Sequence, residues 1–179
     1  EVIIPAPYWV SYPQMVKLAG GNPVFVNAGF EQDFKMTPEQ LEAAITPKTK
    51  MLILCSPSNP TGSVYSEEEL AGLAEVIKKH EGMYVLADEI YEHISYIGKH
   101  ASIAKIEGMK ERSIIVNGVS KAYAMTGWRI GYIAAPEWIV KGCNKLQGQY
   151  TSGPCSVSQK AAEAAYTLEQ GCVEDMRKA

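Results

Sequence analysis

MLILCSPSNPTGSVYSEEELAGLAEVIKKHEGMYVLADEIY, residues 51–91, is the stretch that decides the fold. Met51 to Cys55 is an apolar run of strand length. Ser66, followed by Glu67, Glu68 and Glu69, then supplies a capping residue and a capping-box acid three positions on. Leu70, Leu73, Ala74, Val76 and Ile77 recur at helical spacing, Gly82 helps to close the unit, and Tyr84 to Ala87 forms a second apolar run. Strand, helix and strand over this length make a parallel crossover, a connection that is right-handed in nearly all proteins.

Working outward, apolar β-branched runs occur at Val2 to Ile4, Pro23 to Val26, Ile114 to Val116 and Arg129 to Ala134. None alternates strictly, which suits a sheet covered on both faces. Thr37-Pro38-Glu39-Gln40 repeats the capping pattern, with proline at the first helical position, ahead of Leu41 to Ile45. The run ending at Ala134 follows Val116 too closely for a helical crossover, so it is expected to pair antiparallel. Ala161 to Met176 reads as one long helix entered from Ser152-Gly-Pro154. The expected fold class is α/β, with three αβα layers, a mostly parallel sheet, helices on both faces and one antiparallel strand.

The totals bound the function classes. A chain of 179 residues, 46% hydrophobic and 21% charged, buries one good-sized core and reads as one soluble unit or part of a larger one. Its net charge of -3 offers no basic footprint for nucleic acid. No apolar run approaches the length of a membrane span, and no basic leader precedes an apolar core. Cys55, Cys143, Cys155 and Cys172 form no Cys-x-x-Cys pair and have no histidine close in sequence. Neither a metal site nor a disulfide framework is expected, and the setting is expected to be reducing and cytoplasmic. His80 is expected to end a helix; His93 and His100 carry no assigned role. Glu1 opens inside a strand without an initiator methionine and Ala179 closes inside a helical pattern, so the chain is expected to be a piece of a longer protein.

Three strands end in polar clusters. Met51 to Cys55 runs into Ser56-Pro-Ser-Asn-Pro-Thr-Gly62, Tyr84 to Ala87 into Asp88-Glu-Ile-Tyr91, and Ile114 to Val116 into Asn117-Gly-Val-Ser-Lys121. If the strands are parallel, Asn59, Asp88, Tyr91, Ser120 and Lys121 emerge at one carboxyl edge, where open α/β sheets bind ligands. Tyr8 and Trp9, after the first run, belong to the same side, and Arg129 follows Lys121 by eight residues. Each has a plainer reading: a turn for Asn59, a helix cap for Asp88, core packing for Tyr91 and Trp9, and surface charge for Lys121 and Arg129. Together they supply an amine, a carboxylate, a phenol, an amide, an aromatic face and a guanidinium. That complement suits an aldehyde cofactor carrying a phosphate.

Asn59-Pro-Thr-Gly62, Asp88-x-x-Tyr91 and Ser120-Lys121 with Arg129 resemble the signatures of class I/II aminotransferases, the fold type I pyridoxal-phosphate enzymes of the aspartate aminotransferase superfamily. The resemblance runs from Glu1 to about Ser158. Lys-Ala-Tyr-Ala-Met-Thr-Gly-Trp-Arg-Ile-Gly-Tyr, residues 121–132, is similar to the bacterial aspartate and aromatic branch. The resemblance implies the fold above, with residues 1–179 as part of the cofactor-binding large domain and an N-terminal segment and a C-terminal small domain outside the chain.

It also implies roles. Lys121 would hold pyridoxal 5'-phosphate as an imine and, once released, move the substrate α-proton. Asp88 would face the pyridine nitrogen and keep it protonated, while Tyr91 and Asn59 would donate to the phenolic oxygen. Trp9, with Tyr8 as the alternative, would stack on the ring, and Arg129 and Ser120 would hold the phosphate. Gly118 stands where many relatives carry a second serine. Gln147 stands where a dicarboxylate-specific branch carries arginine, so the amino acid substrate is left open. The implied reaction passes an α-amino group from an amino acid, aspartate or aromatic, to a 2-oxo acid. The implied assembly is a homodimer, with Tyr150-Thr-Ser-Gly-Pro154 at its interface. A β-lyase or cyclopropane-forming synthase of the same fold, or a non-catalytic effector domain of a regulator, are the alternatives.

Overall fold

The computed structural model describes residues 1–179 as a six-stranded sheet with helices on both faces. The strands are β1 (Val2–Ala6), β2 (Pro23–Asn27), β3 (Met51–Cys55), β4 (Tyr84–Asp88), β5 (Ser113–Gly118) and β6 (Gly131–Ala134). The helices are α1 (Ser11–Leu18), α2 (Pro38–Ala44), α3 (Glu67–Lys78), α4 (Glu137–Tyr150), α5 (Ser156–Thr167) and α6 (Gly171–Lys178). Strand order is β2-β1-β3-β4-β5-β6. All neighbours are parallel except β5 and β6, as the short Val116 to Ala134 connection requires.

Alternation along the strands divides the core in two. Ile3, Leu52, Leu54, Val85 and Ala87 point to one face, where Leu41 of α2 and Leu70, Leu73, Ala74 and Ile77 of α3 close a cluster of 17 buried residues. Ile4 and Ile53 point to the other, under Tyr12 and Val16 of α1. Leu70 is 2% exposed and Leu73 and Ile77 are fully buried, each stabilising the fold by about 1.5–3 kcal/mol relative to exposure. Both capping boxes form: Gln40 N donates to Thr37 Oγ1 at 3.3 Å and Glu69 N to Ser66 Oγ at 3.1 Å. Each satisfies a helix-end donor that has no partner within the helix. Gly82 takes φ +76 to turn the chain from α3 into β4, a conformation glycine adopts without a Cβ penalty.

Two expectations are corrected. Ala161 to Met176 is two helices, because the Gln170 amide donates to the carbonyls of Ala165 at 3.0 Å and Leu168 at 2.5 Å and so terminates α5. A side chain that satisfies those carbonyls competes with continuing the helix. The last strand begins at Gly131, because Arg129 adopts a left-handed φ of 54° after a single 3-10 turn, Thr126–Trp128. Helices α1 and α4 were not anticipated. No helix is long and apolar enough to cross a membrane.

Between β1 and β3 the strand order reverses direction, β2 lying on one side of β1 and all later strands on the other. The crevice at the carboxyl ends of strands beside such a reversal is where α/β sheets bind ligands. Register makes these ends level: Cys55 pairs with Asp88, and Asp88 with Val116.

Candidate active site

At that edge lies a cavity of about 420 Å³ whose lining includes Trp9, Asn59, Asp88, Tyr91, Ser120, Lys121 and Arg129. All seven residues singled out in the sequence therefore meet in one place. Trp9 comes from the loop after β1, Asn59 from that after β3, Asp88 ends β4, and Lys121 follows β5 by three residues.

Asp88 sits at the floor. Its Oδ1 accepts from Ile90 N at 3.3 Å, and its Oδ2 accepts from the Tyr12 hydroxyl at 2.7 Å. The turn after it brings Tyr91 round to Lys121, whose Nζ lies 5.8 Å from the centroid of the Tyr91 ring. Val119, fully buried, and Ala122, 5% exposed, anchor the backbone on either side of Ser120 and Lys121. This fixes the start of a long side chain while its amine stays in the open cavity. Arg129 Nη1 donates to Thr126 O at 2.7 Å, a bond that sets the guanidinium at the cavity rim.

Trp9, rather than Tyr8, lines the cavity. Tyr8 is engaged elsewhere, stacked on Phe25 with ring centroids 5.1 Å apart and planes inclined by 16°. Trp9 meets the ring of Tyr12 edge-on at 5.5 Å and 86° and leaves its other surface to the cavity.

Two participants went unread in the sequence. Tyr12 lies one helical turn beyond Trp9, so the spacing Trp-x-x-Tyr was the available signal. Burial, with the charges of Cys55 and Asp88 next, pushes its phenol far above the ordinary tyrosine range, and it remains a hydrogen-bond donor. Asn117 is the second: its Nδ2 donates to Glu92 Oε1 at 2.7 Å and its Oδ1 accepts from Gly118 N at 2.8 Å, bracing the loop that carries Lys121. Behind it, Glu89 Oε1 accepts from Ser102 Oγ at 2.6 Å and its Oε2 lies 3.1 Å from His100 Nε2. Burial, and next the charge of Asp88, also raises the pKa of the Cys55 thiol. All four cysteines are free.

A family profile described as aminotransferase class I and II matches residues 1–179. The chain belongs to this aminotransferase family. Over 181 aligned residues it is 55% identical to the aspartate aminotransferase of Geobacillus stearothermophilus, covering 100% of this chain and 46% of that protein. It is 53% identical to the aspartate/prephenate aminotransferase of Cereibacter sphaeroides, with 100% and 45% covered. The aspartate aminotransferase structure from Rhizobium meliloti superposes with a TM-score of 0.97 at 44% identity, over 99% of this chain and 45% of that one. The chain thus spans about half the length of the relatives it matches. Class I and II aminotransferases depend on pyridoxal 5'-phosphate. The chemistry of the cavity fits that cofactor: an exposed amine, a hydrogen-bonded carboxylate on the floor, an indole wall and an arginine at the rim are groups that its aldehyde, ring nitrogen, ring face and phosphate would each need.

Proposed function

We propose that the whole protein is a pyridoxal-phosphate-dependent aminotransferase that passes an α-amino group from an amino acid to a 2-oxo acid. One observation carries this reading: Lys121 shares a single cavity with the carboxylate, phenol, amide, indole and guanidinium that the cofactor requires. When bound, the cofactor supplies an aldehyde that condenses with amines and a cationic ring that accepts electron density from the substrate α-carbon.

The roles of the side chains follow from their chemistry. The Lys121 amine would be the group that holds the cofactor's aldehyde carbon and, when free, would serve as the base that takes and returns the substrate α-proton. Asp88 would keep a proton on the ring nitrogen, since a carboxylate in a partly buried site favours a neighbouring cation. Tyr91 and Asn59 would donate to the phenolic oxygen, Ser120 and Arg129 would bind the phosphate, and Trp9 would cover one ring face and exclude water.

Residues 1–179 are read as part of the cofactor-binding large domain, with an N-terminal segment and a C-terminal small domain completing the protein; a share of 46% of a full-length relative supports this. Aspartate and prephenate, named for the relatives, head the candidate substrates. The working form is read as a cytoplasmic homodimer. Trp138, Leu146, Tyr150 and Val157 on α4 and α5 are 62–84% exposed, apolar area that favours association. Incubating the full-length protein with aspartate, 2-oxoglutarate and cofactor tests the reaction. Glutamate formation supports transfer; pyruvate and ammonia without an oxo-acid acceptor would replace this reading with elimination.

A further inference from the structure

We propose that Tyr12 is a positioning residue for this reaction: its hydroxyl holds and partly neutralises the Asp88 carboxylate, while its ring edge sets the plane of Trp9. The inference rests on the functional reading above. The donor distance of 2.7 Å to Asp88 Oδ2 and the 5.5 Å edge contact with Trp9 put one side chain against two walls of the cofactor cavity.

The geometry is rigid because Tyr12 is 5% exposed and belongs to the core cluster with Ile4, Val16 and Ile53, on the first turn of α1. Its phenol is kept protonated by burial, with the Cys55 and Asp88 charges adding to the effect. The hydroxyl donates to Asp88 Oδ2, so the charge that Asp88 presents is shared in a fixed way. The Asp88 carboxylate has Oδ1 committed to Ile90 N and Oδ2 to Tyr12, which leaves its remaining lone pairs for the ring nitrogen of a bound cofactor. The titratable groups around Asp88 are Tyr12 from α1, Cys55 from β3 and, across the cavity, Tyr91, Lys121 and Arg129.

Removing only the hydroxyl returns full negative charge to Asp88, and a stronger anion favours the protonated form of any cation near it. The visible band of cofactor bound to Lys121 changes with pH as that linkage gains or loses a proton. In the full-length protein loaded with pyridoxal phosphate, Tyr12→Phe is expected to raise the midpoint of this change by about half a pH unit. Tyr12→Leu, which also removes the ring edge, is expected to weaken cofactor binding about tenfold in addition. In an Asp88→Asn background the Phe substitution is expected to leave the midpoint where Asp88→Asn alone puts it, because the two act through one group.

An unchanged midpoint in Tyr12→Phe, the same shift with and without Asp88, or loss of folding in the Phe variant would overturn the proposal and leave Tyr12 a core residue. Failure of the wild-type protein to take up pyridoxal phosphate at all would overturn the functional reading itself, and the two results are distinguishable in one titration.

Discussion

Gly118 lies against Ile130 so closely that a Cβ at position 118 would stand 2.7 Å from the Ile130 carbonyl oxygen and 2.9 Å from Gly131 Cα. The turn that returns the chain into β6 crosses directly over the end of β5. A serine at this position would have to move backbone rather than a flexible side chain. Gly118→Ser is expected to destabilise the chain by about 1–3 kcal/mol through overpacking, measured by urea denaturation. It is expected to bring no gain in pyridoxal phosphate affinity.

Arg129 sits at the rim with one nitrogen tied to Thr126 O, and its left-handed backbone aims the side chain at the cavity rather than along β6. In the full-length protein, Arg129→Ala is expected to weaken pyridoxal phosphate by about 10- to 100-fold, the loss of a charge-assisted hydrogen bond. Affinity for pyridoxal, which has no phosphate, is expected to change by less than about threefold. Equal losses for the two ligands would remove Arg129 from the phosphate site.

Trp9→Ala and Tyr8→Ala separate two adjacent aromatics. Tyr8 stacks on Phe25 and Trp9 lines the cavity. Only Trp9→Ala is expected to reduce cofactor affinity, by about tenfold, whereas Tyr8→Ala should lower the melting temperature with little effect on binding. Absorbance titration and thermal melts of both variants check this.

Lys35 and Glu69 tie the segment before α2 to the start of α3, with Nζ 2.7 Å from Oε1. Burial alone would raise the Glu69 pKa, but the hydrogen bond from Lys35 and the one from Ser66 N outweigh it and hold it below its ordinary 4.5. Burial likewise opposes the charge on Lys35, and Glu69 overrides it, holding Lys35 above 10.5. A lowered acid contributes stability above its unfolded value that is lost as pH falls through the folded one; a raised base contributes below its unfolded value and loses it as pH rises through the folded one. The pair therefore acts between about pH 4.5 and 10.5. Glu69 is 41% exposed, so screening limits the effect. Glu69→Gln, which keeps an acceptor for Ser66 N, is expected to cost about 0.5–1 kcal/mol at pH 7 and progressively less as the pH falls below about 4.5, read from urea midpoints across that range.

The legible parts of the sequence were those governed by local rules. Ser66 with Glu69 and Thr37 with Gln40 announced two helices because a capping box is a contact between residues three apart. The apolar runs announced every strand, and parallel pairing then brought Asn59, Asp88 and Lys121 to one edge. What escaped depended on contacts between distant residues. Tyr12 went unread because only the placement of β4 brings Asp88 beside it. The break before Gly171 depends on where the Gln170 amide turns. Arg129 reads as strand, whereas the chain takes a left-handed residue there just before it passes over Gly118.

The central claim is that Lys121 is the amine that binds the cofactor, and it can be tested on the covalent bond itself. Full-length protein incubated with pyridoxal 5'-phosphate, reduced with borohydride, digested and analysed by mass spectrometry should carry a single phosphopyridoxyl group on the peptide containing Lys121. No adduct, or adducts spread over surface lysines such as Lys78 and Lys141, would contradict it.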